Sequence, residues 1–467
     1  MSLHALSLTQ AAADVREGRI SAAELVEACL ERVGKVEATV RAWAFLDPGH
    51  VRRQAEAADL HRKHGKALGP LHGVPIGIKD IFDTGDMPTE LGSPLWAGRT
   101  PRQDAAAVAQ LRAAGAIIMG KTVTTEYAYR RPGPTTNPHD PGRTPGGSSS
   151  GSAAAVAARM VPAAIGSQTN GSTIRPAAFC GVVGFKPTHG LIPRTGALLL
   201  SRTLDHVGVF ARTVEDAALV AETLAGFDDD DPDTRPLARP PLAAVAASGP
   251  PLPPRLAFVR SPVWERAEPV LREAFAELVG ALGAAVVEVE LGTGFARALE
   301  MHRTIMEVEM AHNLRRDYER AGEQLSRPLR EIIERGRGHP AVDYAAAVAG
   351  NQALNDALAP TFDEFDAILT PAAPGEAPRG LESTGDASFC TLWTYLGTPA
   401  VTVPLLRSPA GMPLGVQLVG RRDGDARLLR TARWLVDTLA GPPRRRARSG
   451  AAAANAGASR PAKRRAS

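Results

Sequence analysis

Short apolar runs alternate with helix patterns along most of this chain, and that alternation most constrains what the chain can fold into. Val74, Ile76 and Ile78 alternate with other residues up to Lys79, which predicts a strand with Lys79 on the face opposite the isoleucines. Further along, the sequence predicts a strand, a helix and a strand over residues 255–259, 265–282 and 284–289. This order is typical of an α/β fold.

Helix and loop signals divide the rest of the chain. Ser21 and Glu24 form a capping-box pattern that opens a helix to about Val33. Residues 228–254 contain four consecutive aspartates and many prolines, which predicts a solvated surface connection. Residues 293–356 interleave charged and apolar positions, and we expect helices there that cover a pocket. Other predicted elements are helices near residues 9–17, 49–64, 104–114 and 151–159, and a short strand over 161–165.

Two stretches, residues 146–153 and 166–175, are dense in glycine and hydroxyl side chains and contain no histidine. A serine is a weak nucleophile until a nearby base removes its proton. A lysine can be that base only if burial or neighbouring charge lowers its pKa. Because Lys79 ends a strand apolar enough to be buried, these three segments predict a serine nucleophile with a lysine base.

Together the three segments resemble the amidase signature family. The likeness continues through residues 204–208, 368–372, 397–404 and 415–420, so it covers most of residues 1–440. The resemblance implies one domain over residues 1–440, built on a large mixed β-sheet core with helices on both faces. It also implies hydrolysis of an amide through a seryl acyl-enzyme, without a cofactor.

The resemblance assigns a role to each catalytic residue. Ser172 carries over as the nucleophile, Ser148 as the bridging serine after a cis peptide bond from Gly147, and Lys79 as the base. The backbone N–H groups of the run that ends at the nucleophile carry over as the oxyanion hole, at Thr169, Asn170, Gly171 and Ser172.

Three positions depart from the common family pattern. Most members have an acidic residue where Gln168 stands, a glycine where Asn170 stands, and an arginine two positions after the nucleophile, whereas Arg175 is three positions after it. This variant resembles the malonamidase- and biuret-hydrolase-like subgroup, which acts on short polar amides. Gln168 and Arg175 are therefore candidate substrate-binding residues, with Arg175 facing a substrate carboxylate or pairing with an internal one. Gln168 could alternatively only hydrogen-bond its own loop.

Two other functions remain open from the sequence. The chain could be the glutamine-amidase component of an aminoacyl-tRNA amidotransferase, although such components normally keep the acidic and diglycine positions that Gln168 and Asn170 replace. It could also be a catalytically silent binding protein on the same fold, which the presence of Lys79, Ser148 and Ser172 argues against.

Two rival motifs fail on physical grounds. Residues 147–151 fit the G-x-S-x-G elbow with Ser149 as nucleophile, but a proline-broken coil precedes them where that elbow needs a buried strand. Residues 115–122 fit the phosphate-binding G-x-x-x-x-G-K-T pattern, but their variable positions form an apolar run that predicts a strand.

Composition excludes several classes of protein. The chain has 467 residues, 44% of them hydrophobic, and no apolar run long enough to span a membrane. The net charge is +4, but eight basic residues and no acid follow Gly441, so residues 441–467 predict a disordered basic tail and not a specific nucleic-acid-binding domain. The histidines and cysteines show no metal-ligand spacing, so we expect no metal. The sequence thus predicts a cytoplasmic enzyme with a small-molecule amide substrate, and leaves a homodimer open.

Overall fold

A single mixed sheet of eleven strands runs through residues 2–440, the residues that this computed structural model describes. The predicted basic tail, 441–467, lies outside the described residues. The strand order is β1-β3-β2-β4-β6-β5-β10-β11-β9-β7-β8. The strands are β1 (Trp43–Phe45), β2 (Pro75–Lys79), β3 (Ile117–Thr122), β4 (Ala163–Gln168), β5 (Val183–Lys186), β6 (His206–Ala211), β7 (Leu256–Val259), β8 (Val286–Val289), β9 (Ala367–Pro371), β10 (Ala400–Arg407) and β11 (Pro413–Val419).

Fifteen α-helices accompany the sheet within the same residues. They are α1 (Leu8–Arg16), α2 (Ala22–Val40), α3 (Pro48–Lys63), α4 (Ala106–Ala113), α5 (Ser150–Ala157), α6 (Ile174–Cys180), α7 (Val214–Leu224), α8 (Leu242–Ala247), α9 (Pro269–Leu282), α10 (Ala298–Asn313), α11 (Arg315–Ala321), α12 (Arg327–Arg337), α13 (Ala341–Glu364), α14 (Ser388–Tyr395) and α15 (Asp425–Ala440).

Alternate residues of the central strands enter different hydrophobic clusters. Ile76 and Ile118 pack in the cluster that contains α4, α7 and α15. Ile117 and Met119 point the other way, into the cluster that contains α2, α3 and α5. The predicted α/β fold, with a large mixed sheet and helices on both faces, is therefore confirmed.

The predicted β-α-β unit is present, because β7 and β8 pair in parallel on either side of α9. Other elements differ in length from the expectation. The strand predicted over 161–165 begins only after Pro162, which has no N–H to donate to the sheet, and it extends to Gln168 by pairing with β6. Helix α2 begins at the predicted Ser21–Glu24 capping box but continues past Gly34 to Val40, since its apolar face stays buried.

The segment 228–254 is not a simple solvated connection. It contains α8, and Asp231 within it is buried, with its carboxylate 2.7 Å from the guanidinium of Arg194. Arg194 is itself buried and needs a counter-charge, because an unpaired buried cation is costly. The sequence shows the run of aspartates but not the distant arginine that draws one of them inside.

Close contact between β6 and the start of α6 places the candidate nucleophile. Gly208 of β6 pairs with Gly166 of β4. A methyl group on Gly208 would lie 2.1 Å from the Thr173 hydroxyl oxygen. Thr173 directly follows Ser172, so the position of the nucleophile depends on the missing side chain at Gly208.

We predict that Gly208→Ala lowers the free energy of unfolding by about 1–3 kcal/mol, because the added methyl group forces Thr173 and its turn to move. Urea denaturation measures this loss. Gly34→Ala is the matched control, since nothing lies within 4 Å of a methyl group added in α2. That control should be neutral or stabilising. Equal stability of Gly208→Ala and the unmodified chain would contradict the close packing.

Candidate active site

Lys79 lies at the end of β2, fully buried beneath the two Gly-Ser stretches. Its Nζ donates to the hydroxyl oxygen of Ser148 at 2.7 Å and to that of Ser167 at 2.8 Å. Burial lowers the pKa of Lys79 to about 7, and attraction to the Asp205 carboxylate opposes this effect. A substantial fraction of this lysine is therefore neutral near pH 7 and able to accept a proton.

Ser148 follows a cis peptide bond from Gly147, as the family resemblance implies. Its backbone carbonyl accepts a hydrogen bond from the N–H of Thr125 at 3.2 Å. The carbonyl of Gly147 accepts one from the Arg175 guanidinium at 2.6 Å. The bridging serine is thus held on both sides while its hydroxyl points to Lys79.

Ser172 lies in the turn between β4 and α6, at the end of the candidate oxyanion run. Among residues 2–440, the backbone N–H groups of Asn170, Gly171 and Ser172 donate to no protein acceptor. Such donors are available to a developing negative charge on a substrate oxygen. A methyl group on Gly171 would lie 2.9 Å from Ala387, so the turn packs closely against the segment before α14.

Side chains from three distant elements hold this turn. The Thr169 hydroxyl donates to Asp205 at 2.6 Å, and the imidazole Nε2 of His302 donates to the Thr169 carbonyl at 2.9 Å. The Thr391 hydroxyl of α14 donates to the side-chain oxygen of Asn170 at 2.7 Å. Burial lowers the pKa of His302 to about 4 and raises that of Asp205 to about 6. His302 is therefore neutral at pH 7, with its proton on Nε2.

A cavity of about 1220 Å³ opens above this turn. Residues of α10 line one side of it, including Leu299, His302 and Met306, as predicted for the helical region over the pocket. Lys79 is not part of the cavity wall and reaches it only through Ser148. Of the predicted site residues, those on the wall are Ser148, Thr169, Asn170, Gly171, Ser172 and Arg175.

Gln168 does not lie on the wall. Its side chain is buried, and its oxygen accepts the backbone N–H groups of Thr173 and Ile174 at 2.9 and 3.0 Å. Its nitrogen donates to the Thr394 hydroxyl at 2.9 Å. The amide is occupied at both ends, so the structure corrects the substrate-binding expectation in favour of the loop-holding alternative.

Arg175 lines the cavity, but neither expected partner is the one observed. Its guanidinium donates to the carbonyls of Gly147 and Gly385 at 2.6 and 2.8 Å, and to the Thr384 hydroxyl at 3.0 Å. Burial lowers its pKa to about 10. Within the described part of the chain it forms no ion pair with a carboxylate. Arg175 therefore fixes the backbone around the bridging serine, a role that its position after the nucleophile does not reveal.

Sequence reasoning missed Ser167, Asp205 and His302. Ser167 lies inside one of the quoted Gly-Ser stretches, and its place in β4, beside the strand that ends at Lys79, could have identified it. Asp205 lies in a matched family segment, residues 204–208, without an assigned role. His302 belongs to the helical region, where sequence alone gives no contact to the turn.

The two rejected motifs are explained by the structure. Ser149 is buried, and its hydroxyl bonds to the backbone of Ser167 instead of facing the cavity. Lys121 lies in β3 and is buried against Asp80 at 3.0 Å, so residues 115–122 form no phosphate-binding loop.

Residues 2–440 hold no group of three histidine, cysteine, aspartate or glutamate side chains that could bind a metal ion. No helix in that range is both long enough and apolar enough to cross a membrane.

Comparison with known proteins extends the likeness to the whole described chain. The model of the Amidase family matches residues 24–429. The glutamyl-tRNA(Gln) amidotransferase GatA-type protein of Chloroflexus aurantiacus is 36% identical, over 92% of this chain and 95% of that protein. Its counterpart from Salinispora arenicola is also 36% identical, over 94% of this chain and 98% of that protein.

Solved structures give the same result. The native peptide amidase from Stenotrophomonas maltophilia is 30% identical, with a TM-score of 0.79 over 92% of this chain and 96% of that one. The expected malonamidase- and biuret-hydrolase-like subgroup is not supported, because the similarity over the full chain is to the amidotransferase proteins. That expectation relied on three positions, two of which the structure places in contacts that hold the loop. The chain belongs to the Amidase family.

Proposed function

We propose that this protein hydrolyses a carboxamide through an acyl-enzyme on Ser172. The observation that carries the proposal is the hydrogen bond of 2.7 Å between the buried Nζ of Lys79 and the hydroxyl of Ser148. A base with a pKa near 7 is matched to proton transfer at neutral pH. Ser148 and Ser172 both open onto the cavity, so a proton can travel from the nucleophile to the base.

In the proposed mechanism, the Ser172 hydroxyl attacks the amide carbonyl while its proton passes through Ser148 to neutral Lys79. The free N–H groups of Asn170, Gly171 and Ser172 stabilise the oxyanion. Protonated Lys79 then returns the proton through Ser148 to the leaving nitrogen. A water molecule repeats the path and releases the acid.

The relatives favour glutamine as the amide. The Chloroflexus aurantiacus protein carries the name of a glutamyl-tRNA(Gln) amidotransferase component and matches nearly the whole chain. On this proposal the chain releases ammonia from glutamine for an amidotransferase and works together with other protein chains.

A second candidate is a free-standing amidase for a small polar amide. Gln168 and Asn170 replace the acidic and diglycine positions that the amidotransferase components normally keep. The similar structure of a peptide amidase supports hydrolysis without tRNA modification.

A substrate screen separates these candidates. We expect the purified chain to release ammonia from glutamine or from a short amide, and Ser172→Ala to lose at least 10³-fold in turnover while its melting temperature stays the same. Activity on glutamine only with partner chains and tRNA would support the first candidate. Activity of the chain alone on other small amides would support the second. No turnover or serine labelling by a phosphonate probe under any condition would favour a silent binding protein.

We predict that kcat/KM rises about tenfold per pH unit below pH 7 and levels above it, because deprotonation creates the neutral Lys79 base. Lys79→Met should lose this dependence together with most activity. Asp205→Asn should move the limb to lower pH, since the Asp205 carboxylate raises the pKa of Lys79. A limb near pH 7 that persists in Lys79→Met would show that another group is the base.

We also predict that Ser167→Ala lowers kcat about tenfold with little change in KM, because Ser167 orients Lys79 but is absent from the cavity wall. Steady-state kinetics measure both constants. Ser152→Ala is the matched control: this buried serine of α5 bonds to the Ile165 carbonyl and not to Lys79, so it should affect stability more than kcat. An equal loss of kcat in both variants would contradict the assignment.

A further inference from the structure

The loop after β3 forms one wall of the cavity in an unusual backbone conformation. Tyr127, Ala128 and Arg130 have φ values of 46°, 53° and 40°, in the left-handed region that non-glycine residues rarely adopt. Ala128, Tyr129, Arg130 and Arg131 line the cavity. Strained residues persist only where their surroundings fix them, and they cluster at ligand-binding sites.

Several contacts fix this loop to the rest of the site. The N–H of Thr125 donates to the carbonyl of Ser148 at 3.2 Å, and the N–H of Tyr127 donates to that of Leu91 at 2.8 Å. The Tyr127 hydroxyl donates to Asp317 at 2.8 Å. The loop is therefore a rigid support whose position is tied to the bridging serine.

The Arg130 side chain is held but not neutralised. The carbon at the centre of its guanidinium lies 5.6 Å from the centre of the Tyr129 ring, a cation–π contact that positions the group. Arg130 is exposed, and it forms no ion pair with any carboxylate in residues 2–440. A guanidinium held by its face on a ring keeps its N–H edge free for a planar anion.

The other arginines on the same wall are engaged or carry less support. Arg175 donates to backbone carbonyls, and Arg266 pairs with Asp386 at 3.2 Å. Arg131 and Arg303 are exposed, without a stacking contact to an aromatic ring. The carboxylates on the wall are Glu300, Glu382 and Asp386, so five arginines face three acids.

Arg130 is also close to the reacting end of the cavity. Its positive charge helps to lower the pKa of Arg175, whose guanidinium contacts the carbonyl that precedes Ser148. Two neighbouring cations repel each other, and an anion bound at Arg130 relieves that repulsion. The position, the fixed geometry and the free donors all favour an anionic ligand.

We propose that Arg130 binds a carboxylate of the amide substrate and gives the enzyme a preference for amides of acids that carry a second, ionised carboxyl group. This inference rests on the proposed amide hydrolysis and adds a substrate class to it. Glutamine, with its α-carboxylate, and the monoamides of short dicarboxylic acids both belong to this class.

The test compares two amides of equal length, the anion succinamate and neutral butyramide. Arg130→Asn removes the charge while asparagine tolerates the left-handed backbone. We expect kcat/KM for succinamate to fall about tenfold or more in this variant, with butyramide changed less than about twofold. Arg130→Lys should restore only part of the preference, because an ammonium group lacks the planar fork. Arg131→Gln, on the same loop, is the matched control and should keep the unmodified ratio.

A binding measurement makes the test independent of turnover. Calorimetric titration of succinamate into Ser172→Ala, with and without Arg130→Asn, should show affinity weakened by about tenfold. Equal fold-changes on both amides, or equal turnover of both amides by the unmodified enzyme, would overturn the carboxylate site while leaving amide hydrolysis intact. Absent succinamate binding would also overturn it. Succinamate binding that depends on Arg130 without hydrolysis of any amide would keep the site and refute the proposed function.

Discussion

The burial of Lys79 is the constraint on which the rest of the site depends. A lysine removed from water disfavours its charged form, and here burial lowers its pKa to about 7. The two serine hydroxyls at 2.7 and 2.8 Å satisfy its hydrogen bonds without adding a negative charge that would restore the ordinary pKa. A carboxylate in place of either serine would stabilise the ammonium form and remove the base. This explains the density of hydroxyl groups around the lysine and the distance at which the fold keeps Asp205.

The oxyanion turn shows how a mixed sheet can position a short backbone segment. Its N–H groups must stay free for substrate, so they cannot be held by the hydrogen bonds that ordinarily fix a turn. The fold holds the turn through its other atoms instead. Asp205, His302 and Thr391 contact the Thr169 hydroxyl, the Thr169 carbonyl and the Asn170 side chain, respectively. These three residues come from a segment beside β6, from α10 and from α14, so the geometry of the turn reports the correct assembly of the whole domain.

The sequence predicts the parts of the fold and site that depend on local pattern. Alternation of apolar residues is enough to locate β2 and the orientation of Lys79, and the Ser21–Glu24 pair is enough to begin α2. It does not show where distant polar partners meet. Asp231 is one of four similar aspartates, and only its contact with Arg194 makes it a buried residue. His302 is likewise an ordinary helical residue until the fold brings α10 against Thr169.

The positions that departed from the family pattern are best understood as a set. An acidic side chain at position 168 could accept the N–H groups of Thr173 and Ile174, but it could not also donate to Thr394. The amide of Gln168 does both, and Asn170 adds a second contact to α14 through Thr391. Arg175 fixes the carbonyl before Ser148 from the following helix. All three contacts lie behind the cavity surface and shape the turn, so a substrate class cannot be inferred from these positions. Specificity belongs instead to the residues that face the cavity with free polar groups, on the loop after β3 and on α10.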